Sequence, residues 1–534
     1  MKQKHIVIGL RILQGTVWIG FFLFWIAFVQ KSSAHISYPW GTDYVELPEL
    51  SRAILLSRGE SMYPSWEEAP FQEGNYTPFF TLLHSVIFWF AEPTLFFGRL
   101  LNFFFVLITA GILSRIVWLY RTSVFLSLMA GLLYCSSHMV WMWGSLLRVD
   151  NLAVLLNLAA LWSFVEGWKI KKEERWLYGS IVLAVLAAFT RQTMIASAAA
   201  IFLSVLFTER TYLLKLLGVY IGLGLLGTGM ILLLSGGWAW EHLVTANMNE
   251  YEWTSLRFFY GHCWDLYHWI LPALVVGVWV GRKYPVVLLY ALLGFLVSLT
   301  VGKIGSSLNY LLEMWAGFCI LAALGIAKAE EVWEQRNRSI ALSFFLWFTF
   351  AVGWQQAFHV PWSREIKPGG GMKAMSKEEW NPLASFVVKL PLWRVDPFGV
   401  DGMQCVKRSV QLYSSIPARW EAQVMANIDE NVRKLSGPVL SEDMNFTVLL
   451  GKEIWIQSFE FTQLYRQGHW DIKPLHSALS QKQFSALILM FNLEEDISAK
   501  ASGQRFLPKT VSIMKENYDL VAQEGYYWIY YPKR

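Results

Sequence analysis

Residues 177–207, LYGSIVLAVLAAFTRQTMIASAAAIFLSVLF, decide how the chain is laid across a membrane. As one straight helix this apolar stretch would run roughly 46 Å at 1.5 Å per residue, well beyond a hydrocarbon core of about 30 Å. Its flanks are both basic, WKIKKEER before and TERTYLLK after, so both ends belong on the inner face. The stretch is therefore expected to be two short helices that meet at Arg191-Gln192, with their tip below the outer surface. An arginine at that depth is costly unless it is paired or faces an aqueous cavity, which makes Arg191 a functional candidate. Its natural partner is an anionic lipid phosphate, for which a guanidinium offers a bidentate fork.

The rest of the chain supports a membrane setting. Of 534 residues 55% are hydrophobic and only 16% charged, with 28 Trp, and the apolar residues come in long blocks. The net charge of +5 is too small to suggest nucleic acid as a partner, and there is no Gly-rich phosphate loop. Lys2, Lys4 and Arg11 open the run 6–29, which places the N-terminus inside and the polar, Trp- and Tyr-rich segment 31–78 outside. Residues 77–92, too short to span, are expected to lie along the outer face. Further spans are read at 95–119, 123–142, 150–168, the hairpin, 212–235, 269–282, 286–301, 309–327 and 339–358, about 11 in all. Residues 236–268 form an external loop in this reading.

The odd number of spans returns everything after Pro361 to the outer side, beside the 31–78 loop. There the composition becomes that of a soluble unit. A linker containing KPGGGMK leads to a helical region around 408–434, and PVLSE, FSALILMF, YDLVAQ and YYWIYYP read as strands. The expected architecture is an α-helical polytopic membrane protein of the cell (inner) membrane over residues 1–360, its N-terminus cytoplasmic, with a small extracytoplasmic α/β domain over 361–534. Cys135 and Cys319 lie in apolar runs, and only Cys263 and Cys405 would share an aqueous side. Asn75 and Asn445 stand in N-x-T sequons on the outer side.

Charge is scarce, so each charged residue near the membrane asks for a reason. Asp43, in GTDYVE, is either a general base for an acceptor hydroxyl or the N-cap of a helix beginning near Val45. Glu46, three residues on, either completes a capping box or reaches substrate beside it. In SLLRVDNLA, Arg148 can hold a phosphate while Asp150 orients it; the plainer account is a snorkelling arginine and an N-cap. In VGKIGSSLNYLLE, Lys303 is followed by Asn309, Tyr310 and Glu313, which helical spacing puts on one face. Glu313, a turn into the membrane, needs a partner, and either the three basic residues supply it or a neighbouring helix does. His242, His262 and His268 are spaced unlike any metal motif and read as interfacial and solvated.

In this order the motifs resemble those of the GT-C class of membrane glycosyltransferases, in the protein-O-mannosyltransferase-like branch that includes the lipid A aminoarabinose transferases. GTDYVE matches the acidic first loop, YTPFFTLLHS the Tyr/Pro juxtamembrane helix, GRLLNF the opening of the second span, RVDNLAVLL the Arg-Pro-Asp pattern with Val149 in place of Pro, and TRQT the basic residue between short helices. VGKIGSSLNYLLE and GPVLSEDMNFTVLLGK look like the Gly-rich loop and external domain of a bacterial subgroup. The resemblance implies a polyprenyl-phosphate sugar as donor and a glycan, lipid or protein hydroxyl as acceptor, with Asp43 as the base of an inverting hexosyl or pentosyl transfer. Glu46, Arg148, Asp150, Arg191, Lys303, Asn309, Tyr310 and Glu313 would then bind donor or shape the cavity. A divalent metal has room in this scheme, although Asp43-Tyr44 replaces the adjacent acidic pair of many relatives. Two other functions fit intramembrane charge: a transporter or flippase of a sugar-lipid, and a non-catalytic assembly subunit whose external domain binds a partner.

Overall fold

Inside hydrocarbon every backbone N–H and C=O must find its partner within the protein, so long apolar runs fold as helices. The structure, a computed structural model, describes residues 28–335, 419–496 and 504–534, together with residues 15, 18, 19 and 24–26. Its membrane body runs through α1 (Glu46–Ser57), α2 (Phe79–Ile87), α3 (Leu95–Tyr120), α4 (Val124–Cys135), α5 (Asp150–Trp162) and α6 (Glu174–Ala188). It continues through α7 (Ala196–Thr208), α8 (Arg210–Leu234), α9 (Trp253–Tyr267), α10 (Leu271–Gly281), α11 (Pro285–Ser298) and α12 (Leu312–Gln335). Among the described residues five helical segments are long and apolar enough to cross a membrane, or six if α9 and α10, bent by 63°, form one broken span. The helices α4 and α7 are apolar but shorter. Of the 11 spans expected, 6–29 lies largely and 339–358 wholly outside the described residues.

Two stretches differ from the sequence reading. The span expected at 123–142 breaks after Cys135, because the Ser137 hydroxyl accepts the Val140 N–H and starts a new short helix, His138–Trp143. Residues 253–267, expected as loop, form α9, since an aromatic and polar composition does not forbid a helix.

The deciding stretch is the expected pair of short helices. Helix α6 ends at Ala188, α7 begins at Ala196, and Arg191 and Gln192 lie in the turn between them. A helix end leaves carbonyls without partners, and here the segment 75–79 is built around them. The Thr77 hydroxyl donates to the Ala188 carbonyl at 2.9 Å, and the Phe79 N–H donates to the Phe189 carbonyl at 2.8 Å. In return the Gln192 amide donates to the Asn75 carbonyl at 2.9 Å. The main neighbour of α6 is α5 and that of α7 is α11, and both helices also pack on α8. The most enclosed span is Leu308–Ala329, which carries α12 and packs on α10, α11 and α4. Gly277 and Gly325 permit that contact: a Cβ would fall 2.0 Å from the Leu321 carbonyl and 2.1 Å from that of Ala273.

Arg99 on α3 ties the first loop down. Its Nε and Nη2 each donate to Glu46 at 2.7 Å, and its remaining N–H groups reach the carbonyls of His35, Tyr38 and Trp40. Burial would raise the Glu46 carboxyl, but the Arg99 charge and hydrogen bonds from Leu147 and Thr42 outweigh it and hold the group below its usual value.

Past the membrane body come α13 (Arg419–Arg433), β1 (Val439–Ser441), α14 (Ser458–Arg466) and α15 (Lys473–Ser480). The chain closes with β2 (Ala486–Leu489), α16 (Pro508–Asn517), β3 (Tyr518–Glu524) and β4 (Tyr527–Pro532). The four strands occupy the four runs read as strands and form one sheet in the order β1-β2-β4-β3. β1 and β2 are parallel, so α14 and α15 serve as their crossover, while β4 runs antiparallel to β2 and β3. This unit is sewn to the first loop: Phe71 bridges Ile456, the Glu73 N–H donates to Gln457 at 2.6 Å, and Gly41 exchanges hydrogen bonds with Asn445. The expected boundary at residue 360 falls outside the described residues.

Arg99→Leu leaves Glu46 as an unpaired buried charge and is expected to cost about 3–5 kcal/mol. The readout is the unfolding midpoint in detergent, and the double variant Arg99→Leu/Glu46→Leu recovers most of the loss. An unshifted midpoint in the single variant would refute the anchoring role.

Candidate active site

The 31–78 loop, the 143–148 turn, the 246–249 and 303–310 loops and the α/β unit together enclose a cavity of about 350 Å³, within the range of small-molecule sites. Asp43, Arg148, Lys303, Asn309 and Tyr310 line it, joined by Tyr76 and Trp143. Beneath the wall runs a ladder of charges. Asp43 Oδ2 lies 2.5 Å from Arg148 Nη1, Arg148 Nε lies 3.1 Å from Asp150 Oδ2, and Asp150 Oδ1 pairs with Arg191 Nη1 at 2.5 Å. Asn309 donates to Asp150 at 2.9 Å, and the Arg191 guanidinium stacks 4.1 Å from the Tyr310 ring. Two carboxylates and two guanidiniums cancel, which is how four buried charges can persist at this depth.

Local structure aims these groups. Arg148 and Asp150 are two apart, either side of the point where α5 begins, so one faces the cavity while the other is fully buried at the helix start. Lys303 is held by strand-like pairing of its loop with residues 250–252, and its ammonium donates to the Asn247 carbonyl. Asn309 and Tyr310 occupy the single tight turn Leu308–Leu311 that leads into α12.

Not every expected site residue reaches the cavity. Glu46 lies behind the wall, fully buried, and its oxygens are taken by Arg99 and by the N–H groups of Thr42, Asp43 and Leu147. Val45, not Asp43, occupies the N-cap of α1, and no side chain caps it. Asp150 and Arg191 are also behind the wall, and the partner of Arg191 is Asp150 rather than the cavity. Glu313 points elsewhere, accepting from Asn157, whose own carbonyl accepts from Ser197. The hydrogen-bond partner of Glu313 is therefore on a neighbouring helix, with Arg191 contributing attraction at longer range. His242 is buried, not solvated: Nδ1 accepts the Gly74 N–H at 2.8 Å and Nε2 sits 2.8 Å from the Pro64 carbonyl. Among the described residues no group of three His, Cys, Asp or Glu could hold a metal ion. Asn445, the sequon asparagine, is buried in hydrogen bonds to Gly41 and Asp443. Cys405 lies outside the described residues.

The cavity also has residues that no motif announced. Glu73 and Glu460 line it, 387 positions apart, with Tyr44 donating to Glu460 at 2.7 Å. Both carboxyls are held above their usual range. For Glu73 the cause is burial first and then Glu460, against the pull of Arg52 and Lys303; for Glu460 it is burial, opposed by Tyr44. Arg505 stacks 4.9 Å from the Tyr44 ring and pairs with Glu442 at 2.7 Å.

No protein-family model matches the sequence, and no curated protein sequence matches it. Solved structures do. ArnT from Cupriavidus metallidurans bound to undecaprenyl phosphate superposes with a TM-score of 0.58 at 11% identity, over 97% of this chain and 98% of that one. The same protein in the apo state gives 0.53 at 11% identity with the same coverage. The Archaeoglobus fulgidus oligosaccharyltransferase tethered with an acceptor peptide gives 0.48 at 10% identity, over 96% of this chain and 74% of that one. At such identities the ArnT likeness shows the fold alone.

The raised carboxyl of Glu73 carries a pH signature. A group that gains protons on folding gives its stability below its unfolded value, near 4.5, and loses it as pH rises through the folded value. The unfolding midpoint of the wild type is expected to fall from about pH 5 to pH 8 more steeply than that of Glu73→Gln. Parallel curves for the two proteins would contradict this assignment.

Proposed function

We propose that this chain is a glycosyltransferase that moves a sugar from a polyprenyl-phosphate donor to an acceptor hydroxyl on the extracytoplasmic side of a multi-pass membrane protein. The observation that carries the reading is the cavity wall that joins one carboxylate, Asp43, to a guanidinium and an ammonium, Arg148 and Lys303. The fold shared with ArnT bound to undecaprenyl phosphate supports the same class of donor.

The chemistry asks little of the protein. The phosphate already activates the sugar as a leaving group, so what remains is to place two reactants, steady the departing negative charge and remove one proton. Arg148 and Lys303 face the cavity and supply the cations, while Asn309, Tyr310 and Tyr76 shape its wall. Asp150 and Arg191 act from behind, fixing the direction of Arg148 through the ladder. In transfer the acceptor oxygen attacks the anomeric carbon as the bond to the phosphate oxygen breaks. The hydroxyl proton passes to Asp43, the polyprenyl phosphate departs, and the configuration inverts.

The ion pair between Asp43 and Arg148 gives this scheme an order of events. Arg148 Nη1 donates to Asp43 Oδ2 at 2.5 Å. A donor phosphate competes for that N–H, which frees Asp43 Oδ2 to accept from an acceptor hydroxyl. Donor binding thus prepares the base before an acceptor hydroxyl arrives.

Mass spectrometry of the lipid that copurifies with the protein identifies the donor, and transfer assays follow. Asp43→Asn is expected to lower turnover by about 10²–10⁴-fold, the usual worth of a general base, while retaining undecaprenyl phosphate in native mass spectra. Arg148→Ala is expected to lose that lipid. Wild-type turnover by Asp43→Asn removes Asp43 from the mechanism, and flipping of a sugar-lipid without transfer replaces this reading with a transporter.

A further inference from the structure

Glu73 stands apart from the other carboxylates of the cavity. It is 5% exposed and on the cavity wall, and its Oε1 is buried with no hydrogen-bond partner. The backbone around it leaves little freedom. Its N–H donates to the Gln457 side chain at 2.6 Å, its carbonyl accepts from Arg52 at 2.6 Å, and the next N–H, of Gly74, is held by His242 at 2.8 Å. A mobile surface glutamate would turn to water, whereas this one is presented on a fixed backbone with an unused acceptor. A buried acceptor left unmet destabilises the protein, and a ligand donor would recover that loss. Glu460 faces the same cavity from the α/β unit, with Tyr44 on its Oε2 and Phe459 beside it on the wall.

We infer that this part of the cavity is an acceptor subsite for a neutral, hydroxyl-rich ligand, a carbohydrate, gripped by Glu73 and Glu460 between the first loop and the α/β unit. The word acceptor rests on the glycosyltransferase reading above; the ligand class does not. Burial favours the protonated form of each of these carboxyls, and a carboxyl that holds its proton can donate as well as accept a hydrogen bond. A sugar hydroxyl also does both, and an ammonium only donates. Charge points the same way. Arg52, paired with Glu49, Arg505, paired with Glu442, and Lys303 all surround the two carboxyls with positive charge. A cationic ligand would be repelled by these three, while a neutral one would not.

The test uses full-length protein in detergent and saturation-transfer NMR, with methyl mannoside, methyl glucoside and methyl galactoside as probes and cadaverine as the cationic competitor. At least one glycoside is expected to bind the wild type. Glu73→Ala should weaken its Kd by about tenfold or more, the worth of one hydrogen bond to a charged group, and Glu460→Gln, which keeps the Tyr44 contact, by less. Rescue toward wild-type affinity in Glu73→Asp, but not in Glu73→Leu, separates contact from structural support. The inference is overturned if no glycoside binds the wild type, if neither variant changes the affinity, or if cadaverine displaces the glycoside. Wild-type protein that binds a glycoside but not undecaprenyl phosphate overturns the donor reading and leaves this subsite standing.

Discussion

Four side chains from three distant parts of the sequence, Asp43, Arg148, Asp150 and Arg191, neutralise one another in an unbroken row. The site depends on this row, because a buried ion stripped of its counter-ion is worth several kcal/mol of instability. The row also sets directions. Asp150 is claimed from two sides by guanidiniums and from a third by Asn309, so it has no freedom to seek anything else. Arg148 is held at its Nε and stretches its outer nitrogens toward Asp43 and the Tyr76 hydroxyl, the side on which the cavity lies. A cation placed in this way is pre-organised for an anion, with most of the ordering entropy already spent in folding.

The hairpin at residues 177–207 explains why such a row exists at this level of the fold. Two helices too short to cross the membrane meet here, and the end of α6 leaves carbonyls exposed at the tip. The segment 75–79 fills that gap with Thr77 and the N–H of Phe79, which draws the first loop down into the bundle. Tyr76 and Glu73 come with it onto the cavity wall, and the Phe71–Ile456 bridge brings the α/β unit after them. One unmet helix end thus gathers the three bodies of chain that enclose the site.

Much of this was legible in the residues because the chain is poor in charge. Flanking lysines and arginines are enough to fold 177–207 back at Arg191, and alternating apolar runs are enough to place the four strands. What could not be read was pairing. The cost of burying Arg191 is a property of one side chain and can be stated from sequence; its pairing with Asp150 is a property of the packed molecule. The same limit hid the clamp of His242 on Gly74 and Pro64, the tie between Glu46 and Arg99, and the meeting of Glu73 with Glu460. None of these has a local signature: Glu46 looked like half of a capping box because Asp43 precedes it by three, yet its oxygens turn to a helix 53 residues away.

Glu46 and Asp43 sit on the same loop and have opposite fates, which supplies a way to tell a structural carboxylate from an available one. Glu46 accepts from two nitrogens of Arg99 and from three backbone N–H groups, so its lone pairs are used up and its charge is locked. Asp43 has one side-chain partner among the described residues, and that partner is a cation with a competing use. Glu442 falls with Glu46, since Arg505 and the Met490 N–H occupy its two oxygens. Glu73 falls with Asp43, and further toward availability, because its Oε1 has no donor among the described residues. Among the carboxylates of this cavity, then, spare hydrogen-bond capacity rather than charge or exposure separates those that hold the fold from those that can meet a substrate. Asp43 and Glu73 both precede Tyr76 on the first loop, which the hairpin tip pulls into place.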